Sequence, residues 1–339
     1  MPTAEEFLDY YLAWAGPARR SLAGGAAARL PPSLAGRVVA CGMGGSGVAG
    51  DYVEALSRAY GGAPVVSVKG PRPPAWLGAG DLLVAVSFSG NTRETLECAT
   101  RGLRSGAYLA AVTTGGRLAD LARRWGTTAV IVEEAPAPRA GWPQLFYTTA
   151  AMLQANGLLS VPLWDLEASI DLLERRSEVE EAAGGLAEWL RGVEGPLLVV
   201  APEPLYPAAV RLRNELAENA KMAAAVSMLP EAGHNELEAW AYSRGLDAVL
   251  VDPGVEPWSG LLGAVAEEAG FRRVAVVEAR GETLLQKLVW VTWVAGVASV
   301  KAAVARGVDP YKLTAVKRFR GVVERATGWG SAPVEAPRL

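Results

Sequence analysis

Histidine occurs once in these 339 residues, at His234, so any imidazole chemistry has a single carrier. Cysteine occurs only at Cys41 and Cys98. Neither has metal-ligand spacing, no disulfide framework is suggested, and no metal site is expected. Excess charge of one sign is missing too. With 33 basic against 36 acidic residues the net charge is −3, which gives no electrostatic reason to expect nucleic acid or an anionic membrane as partner. The N-terminal stretch from Met1 to Glu6 lacks a basic n-region and an apolar h-region, so no secretory signal is read there. The longest apolar run, Leu288 to Val300, is too short to span a bilayer and closes at Lys301. A Walker-type GK[ST] is absent. The expectation is a cytoplasmic protein with no cofactor.

What is present reads as α/β. Half the residues are hydrophobic and 38 are glycine, which suits a compact core with many tight strand–helix turns. Residues 4–14 read as an amphipathic helix, followed by a Gly/Ala/Pro-rich connector to Gly36. Strands are expected at 37–42, 64–69, 81–86, 108–113 and 128–132, with helices between them. Helices near 142–156 and 164–191 run without a strand. A second series follows, with strands at 196–201, 224–229, 248–251 and 273–277, then helices at about 283–306 and 311–325. Strands alternating with helices at this pace mean parallel sheets with right-handed crossovers. The spacing suggests an N-terminal block at 1–157, connecting helices at 158–195, a C-terminal block at 196–327 and a tail at 328–339.

The most informative stretch is Ser87-Phe88-Ser89-Gly90-Asn91-Thr92. It lies where a buried strand ends and a helix begins. There, free backbone N–H groups and the positive end of the helix dipole favour an anion. Three hydroxyls without a lysine suit a phosphomonoester better than a triphosphate. The plainer alternative is that Ser89 or Asn91 simply caps the helix. The first strand ends in Gly42-Met43-Gly44-Gly45-Ser46-Gly47, which fits G-x-G-x-x-G, yet the second strand ends Val68-Lys69-Gly70 with no acid for a ribose. This turn therefore reads as a second phosphate or sugar cradle, with Gly45 and Ser46 at its centre.

Three further positions could carry chemistry. His234 stands in Pro230-Glu231-Ala232-Gly233-His234-Asn235-Glu236, between a strand and a helix. Glu218 closes an amphipathic helix in Asn214-Glu215-Leu216-Ala217-Glu218-Asn219-Ala220-Lys221, at the dipole end that suits a proton-accepting base. Arg139 follows Ala135-Pro136-Ala137-Pro138, on a stiff loop at the sheet edge where open α/β sheets bind ligands. Each has a bland reading: a surface or capping histidine, a solvated charged helix end, an exposed arginine.

Taken as a series, GMGGSG at 42–47, SFSGNT at 87–92, TTGGRL at 113–118, APRAGWPQL at 137–145, NELAENAK at 214–221, LPEAGHNE at 229–236 and RGVDP at 306–310 resemble the bifunctional phosphoglucose/phosphomannose isomerases. That family has the sugar isomerase (SIS) fold. The resemblance implies two SIS-type subdomains, each a parallel sheet flanked by helices, with the site between them. It also implies a homodimer in which the histidine reaches the partner's site. By position, Ser46, Ser87, Ser89 and Thr92 match phosphate-binding residues. Arg139 matches the arginine that stabilises the enediolate, Glu218 the base, and His234 the ring-opening residue. Near the C-terminus the pattern departs. Arg320 stands where the family has a catalytic lysine and Leu313 where it has a threonine, with Thr314 and Lys317 out of register.

The activity implied is aldose–ketose isomerisation of glucose 6-phosphate, and of mannose 6-phosphate, to fructose 6-phosphate through a cis-enediol. Two rivals are an isomerase of another phosphosugar and a non-catalytic SIS protein that senses a sugar phosphate.

Overall fold

The computed structural model describes residues 2–34, 36–243 and 245–327, so the tail expected at 328–339 lies outside the described residues. In chain order the elements are α1 (Ala4–Leu12), α2 (Ala15–Ala27), β1 (Val38–Gly42), α3 (Gly44–Tyr60), β2 (Val65–Val68), β3 (Leu82–Val86) and α4 (Arg93–Arg104). Next come β4 (Tyr108–Thr113), α5 (Gly116–Arg124), β5 (Thr128–Ile131), α6 (Trp142–Ala155), α7 (Leu163–Leu172) and α8 (Arg176–Arg191). The series β6 (Leu197–Pro202), α9 (Tyr206–Glu215), β7 (Ala224–Leu229), α10 (Glu236–Tyr242), β8 (Asp247–Asp252), α11 (Trp258–Ala269) and β9 (Arg273–Glu278) follows. It is closed by α12 (Leu284–Ala305) and α13 (Thr314–Thr327).

These elements form two units that interleave along the chain, where the sequence suggested consecutive blocks. Gly16–Leu166 groups with the segment from Leu313 onward, and Met1–Ala15 groups with Glu167–Lys312. Most of the stretch expected as a connection belongs to the second unit, because α8 packs along α12.

In the first unit a five-stranded parallel sheet has the order β2-β1-β3-β4-β5. β1 and β3 are buried along their whole length, as apolar central strands covered on both faces should be. Because β2 lies to one side of β1 and β3 to the other, the winding reverses between them. Their carboxyl ends therefore diverge into a crevice, the place where open α/β sheets take ligands. Cys41 on β1 and Cys98 on α4 are free and buried; a hydrogen bond to Cys98, and burial, push the Cys41 thiol well above its usual range.

The Gly/Ala-rich stretch before β1 is not a plain connector but contains α2. Its apolar signal is thin, with only Ala18 and Leu22 as buried hydrophobics. The second glycine of its one pair marks a close approach instead: a Cβ on Gly25 would lie 2.4 Å from the Thr148 carbonyl oxygen of α6.

The second unit holds a four-stranded parallel sheet, order β7-β6-β8-β9. Its centre is α12, which is 22 residues long and so outruns the apolar stretch visible in the sequence. By length and composition α12 could cross a membrane, but Trp290, Trp293 and their neighbours are buried within the unit. α1 starts with a capping box, in which Thr3 Oγ1 accepts from Glu6 N at 3.1 Å and Glu6 Oε2 accepts from Thr3 N at 2.7 Å. It then buries Phe7, Tyr11 and Leu12, and Trp293 Nε1 donates to the Tyr11 carbonyl at 2.8 Å.

The α1–α12 contact is tight enough to test. A Cβ on Gly296 would come within 2.4 Å of the Tyr11 ring, which is held between Phe7 and Trp14. Gly296→Ala is expected to cost about 1–3 kcal/mol through overpacking. A lowered melting temperature in scanning calorimetry checks it; an unchanged one would mean that α1 can slide.

Candidate active site

The crevice at β1 and β3 is lined by the two serine-bearing turns, and hydrogen bonds tie both to the loop after β4. Phe88 is the junction. Its N–H donates to Ser46 Oγ at 3.2 Å, and its carbonyl accepts from Thr114 N at 3.0 Å and Thr114 Oγ1 at 2.8 Å. Gly90, at φ +64°, makes the turn possible: a Cβ there would fall 1.8 Å from the Gly115 carbonyl oxygen. The Gly90 carbonyl accepts from Leu118 N at 2.9 Å, and Asn91 Oδ1 accepts from Arg117 N at 3.2 Å.

This bonding decides which way the hydroxyl protons face. Ser46 Oγ accepts from Phe88 N, Ser89 Oγ accepts from Asn91 N at 3.2 Å, and Thr92 Oγ1 accepts from Ser87 Oγ at 3.2 Å. A hydroxyl has one proton to give. Ser46, Ser89 and Thr92 thus each receive a protein hydrogen bond and keep a donor for a ligand, while buried Ser87 orients Thr92. The capping alternative fails, because the N-cap of α4 is Thr92 and its side chain makes no cap hydrogen bond. The N-terminus of α3, beside Gly45 and Ser46, has no side-chain cap either. Two helix N-termini and three hydroxyl donors therefore converge at one switch point, an arrangement that can hold a phosphate dianion.

Arg139 belongs to the same edge and is not an exposed arginine: it is 3% exposed. Its loop, between β5 and α6, presses Gly141 against the Phe88 ring, where a Cβ would lie 2.3 Å from Cε2. A guanidinium buried at the ligand edge of a sheet is strongly felt by any anion that forms nearby. Lys69, at the end of β2, pairs with Asp51 of α3, and its Cε would lie 3.2 Å from a Cβ on Gly47. Burial pushes the Asp51 carboxyl up, against the pull of Lys69 and Ser67.

In the second unit the helix carrying Glu218 does not end regularly. After α9 the chain makes one π turn, Leu216–Ala220, and leaves it through Lys221 at φ +57°. Such turns are rare and concentrate at functional sites. Glu218 is half-buried on it, and Lys221 Nζ donates to the Glu218 carbonyl at 2.7 Å. Beneath lies an array with no sequence signal beyond a four-residue spacing. The buried Glu215 pairs with Arg211 and accepts from Tyr11 Oη and from Asn219 Nδ2, each at 2.8 Å.

His234 is exposed on a short 3₁₀ turn after β7, and its imidazole has no hydrogen bond among the described residues. Its polar neighbours are all occupied. Asn235 Nδ2 donates to Glu231 at 2.8 Å, Asn235 Oδ1 accepts from Glu236 N at 2.6 Å, and Ser227 Oγ donates to Glu236. Glu218 precedes β7 and His234 follows it, so a strand of six residues, about 20 Å long, stands between them in the chain. The structure does not bring these two together. Near the C-terminus, Leu313 is half-buried, Thr314 opens α13, and Arg320 is exposed on it with no hydrogen bond or ion pair among the described residues.

Comparison with known proteins fits this arrangement. Residues 179–323 match the family model described as the bacterial phospho-glucose isomerase C-terminal SIS domain. A bifunctional phosphoglucose/phosphomannose isomerase from Aeropyrum pernix is 34% identical over 92% of this chain and 96% of its own length. The chain belongs to that family. A relative with a different activity in its name, the D-glucosamine-6-phosphate 4-epimerase of Sulfolobus acidocaldarius, is 27% identical over 82% of this chain and 86% of its own. Among solved structures, the C-terminal domain of glucosamine-fructose-6-phosphate aminotransferase from Francisella tularensis has a TM-score of 0.71 at 15% identity. It spans 90% of this chain and 97% of that one, a likeness of fold.

The cradle makes a direct prediction. Ser89→Ala and Thr92→Ala each remove one outward donor to a charged group, worth about 1.5–3 kcal/mol. Titration calorimetry with a polyol 6-phosphate should show affinity falling roughly 10- to 150-fold for each. Unchanged affinity in both would move the phosphate elsewhere.

Proposed function

We propose that this protein interconverts glucose 6-phosphate, and mannose 6-phosphate, with fructose 6-phosphate. Family membership supports the reaction class. The observation that carries the substrate reading is the set of three outward hydroxyl donors at the β1–β3 switch point.

The Ser46, Ser89 and Thr92 hydroxyls and the α3 and α4 N-termini hold the phosphate. Binding energy gathered there, remote from the reacting carbons, positions C1 and C2. Once the ring is open, Glu218 takes the C2 proton. The electron pair moves into a C1–C2 double bond and the carbonyl oxygen becomes an enediolate. Arg139, kept from water, stabilises that oxygen. A proton passes from O2 to O1, which leaves the charge on O2; as that oxygen re-forms a carbonyl at C2, Glu218 returns its proton to C1, giving the ketose. His234 serves ring opening, where an imidazole can carry a proton between O1 and the ring oxygen. Arg320 takes the cationic role of the family lysine, and Leu313 with Thr314 flank the point where C2 stereochemistry is read. We place the enzyme in the cytoplasm as a homodimer. The strand that stands between Glu218 and His234 in the chain supports a site in which each subunit's histidine serves the other.

The test of function is a coupled assay for fructose 6-phosphate from glucose, mannose and glucosamine 6-phosphates, with EDTA present. Turnover of the first two is expected; activity on glucosamine 6-phosphate alone would overturn the reading. Within it, Glu218→Gln should lower kcat by about 10²–10⁴ while KM stays within a few-fold. A variant retaining more than about a tenth of kcat would remove Glu218 from the role.

The histidine has its own test. Protein carrying His234→Ala and protein carrying Glu218→Gln are each expected to be nearly inactive, and subunit exchange between them should restore some sites. No recovery after proven exchange would confine His234 to its own subunit's site.

A further inference from the structure

Glu218 stands on the π turn, and what holds that turn lies in the first helix of the chain. One extra residue in a helical turn rotates every later side chain by about 100° relative to a regular helix. The π turn therefore fixes which of Glu218 and Asn219 faces inward. Asn219 does: it is fully buried, and its Nδ2 donates at 2.8 Å to both Glu215 Oε2 and Ser299 Oγ, with Tyr11 Oη at 3.4 Å. Ser299 in turn donates to the Gly296 carbonyl at 2.7 Å, on the turn of α12 that seats the Tyr11 ring. Glu215, 1% exposed, is the acceptor that organises the group, balanced by Arg211 and bonded by Tyr11 Oη at 2.8 Å. A buried carboxylate keeps its place only while its donors stay in place.

We infer that Tyr11 is a positioning residue for the base: its hydroxyl fixes Glu215, Glu215 and Ser299 fix Asn219, and Asn219 holds the π turn that presents Glu218. The inference rests on Glu218 being the base. It makes α1 part of the catalytic apparatus, although Tyr11 itself touches no reacting atom.

Tyr11→Phe removes one oxygen and leaves the ring packed between Phe7 and Trp14. Displacing a reacting group by an ångström can cost about 10²-fold, so kcat on glucose 6-phosphate is expected to fall roughly 10- to 100-fold with KM within twofold. The primary isotope effect on C2-deuterated substrate should rise, because proton transfer becomes more fully rate-limiting; a merely structural loss would not move it. Wild-type kcat in the variant, a fall matched by KM, or a fall with an unchanged isotope effect overturns the inference. If Tyr11→Phe does not fold, Ser299→Ala interrupts the same array and carries the same expected and overturning results. Glu218→Gln, measured alongside, separates the two failures. If it remains active the base assignment is at fault; if it is inactive while Tyr11→Phe is normal, the positioning inference alone fails.

Discussion

The backbone of one residue, Phe88, organises the crevice at the carboxyl ends of β1 and β3. Its N–H and C=O are spent on Ser46 and Thr114, side chains of the loops after β1 and β4, so three strand ends are locked at a single residue. The arrangement is possible because the sheet winding reverses between β1 and β3, which frees their carboxyl ends from crossovers. Loops that would otherwise be the most mobile parts of the fold become a preorganised donor set. The glycines follow from the same constraint: Gly90 against the Gly115 carbonyl and Gly141 against the Phe88 ring leave no room for a side chain.

The two units differ in the chemistry their side chains offer. The first offers only neutral donors, helix N-termini and one buried guanidinium, which suits holding an anion and stabilising a second one. The second offers a carboxylate and an imidazole, groups that can move protons. Glu218 and His234 bracket β7, one before it and one after it in the chain.

Most of the fold was legible in the sequence because apolar β-branched runs alternate with helical spacing from β1 to β9. The exceptions have physical causes. α2 is rich in glycine and alanine and buries little apolar surface, so its periodicity is faint and its glycines serve helix contact instead of a turn. The interleaving of the units turns on α1 docking against α12, a contact between residues nearly 300 apart in sequence that no local pattern encodes. At the site the hydroxyl types were readable. Their proton directions were not, since those depend on which donor each oxygen meets after folding.

The motif around Glu218 shows why composition alone could not choose the base. Glu215 and Glu218 lie three residues apart on one helical stretch, and in a regular helix they would share a face. Glu215 is sealed against Arg211, Tyr11 and Asn219, its Oε2 taken by two donors and its Oε1 facing Arg211, and it is buried from any substrate. Such a carboxylate gains nothing by accepting a proton and would lose the array that holds it. The π turn breaks the shared face and leaves Glu218 half-exposed while Glu215 is buried. One carboxylate is thereby sealed inside while the other stays partly open to the surface. The separation depends on helical phase, which the letters N-E-L-A-E-N-A-K do not reveal until the turn is seen.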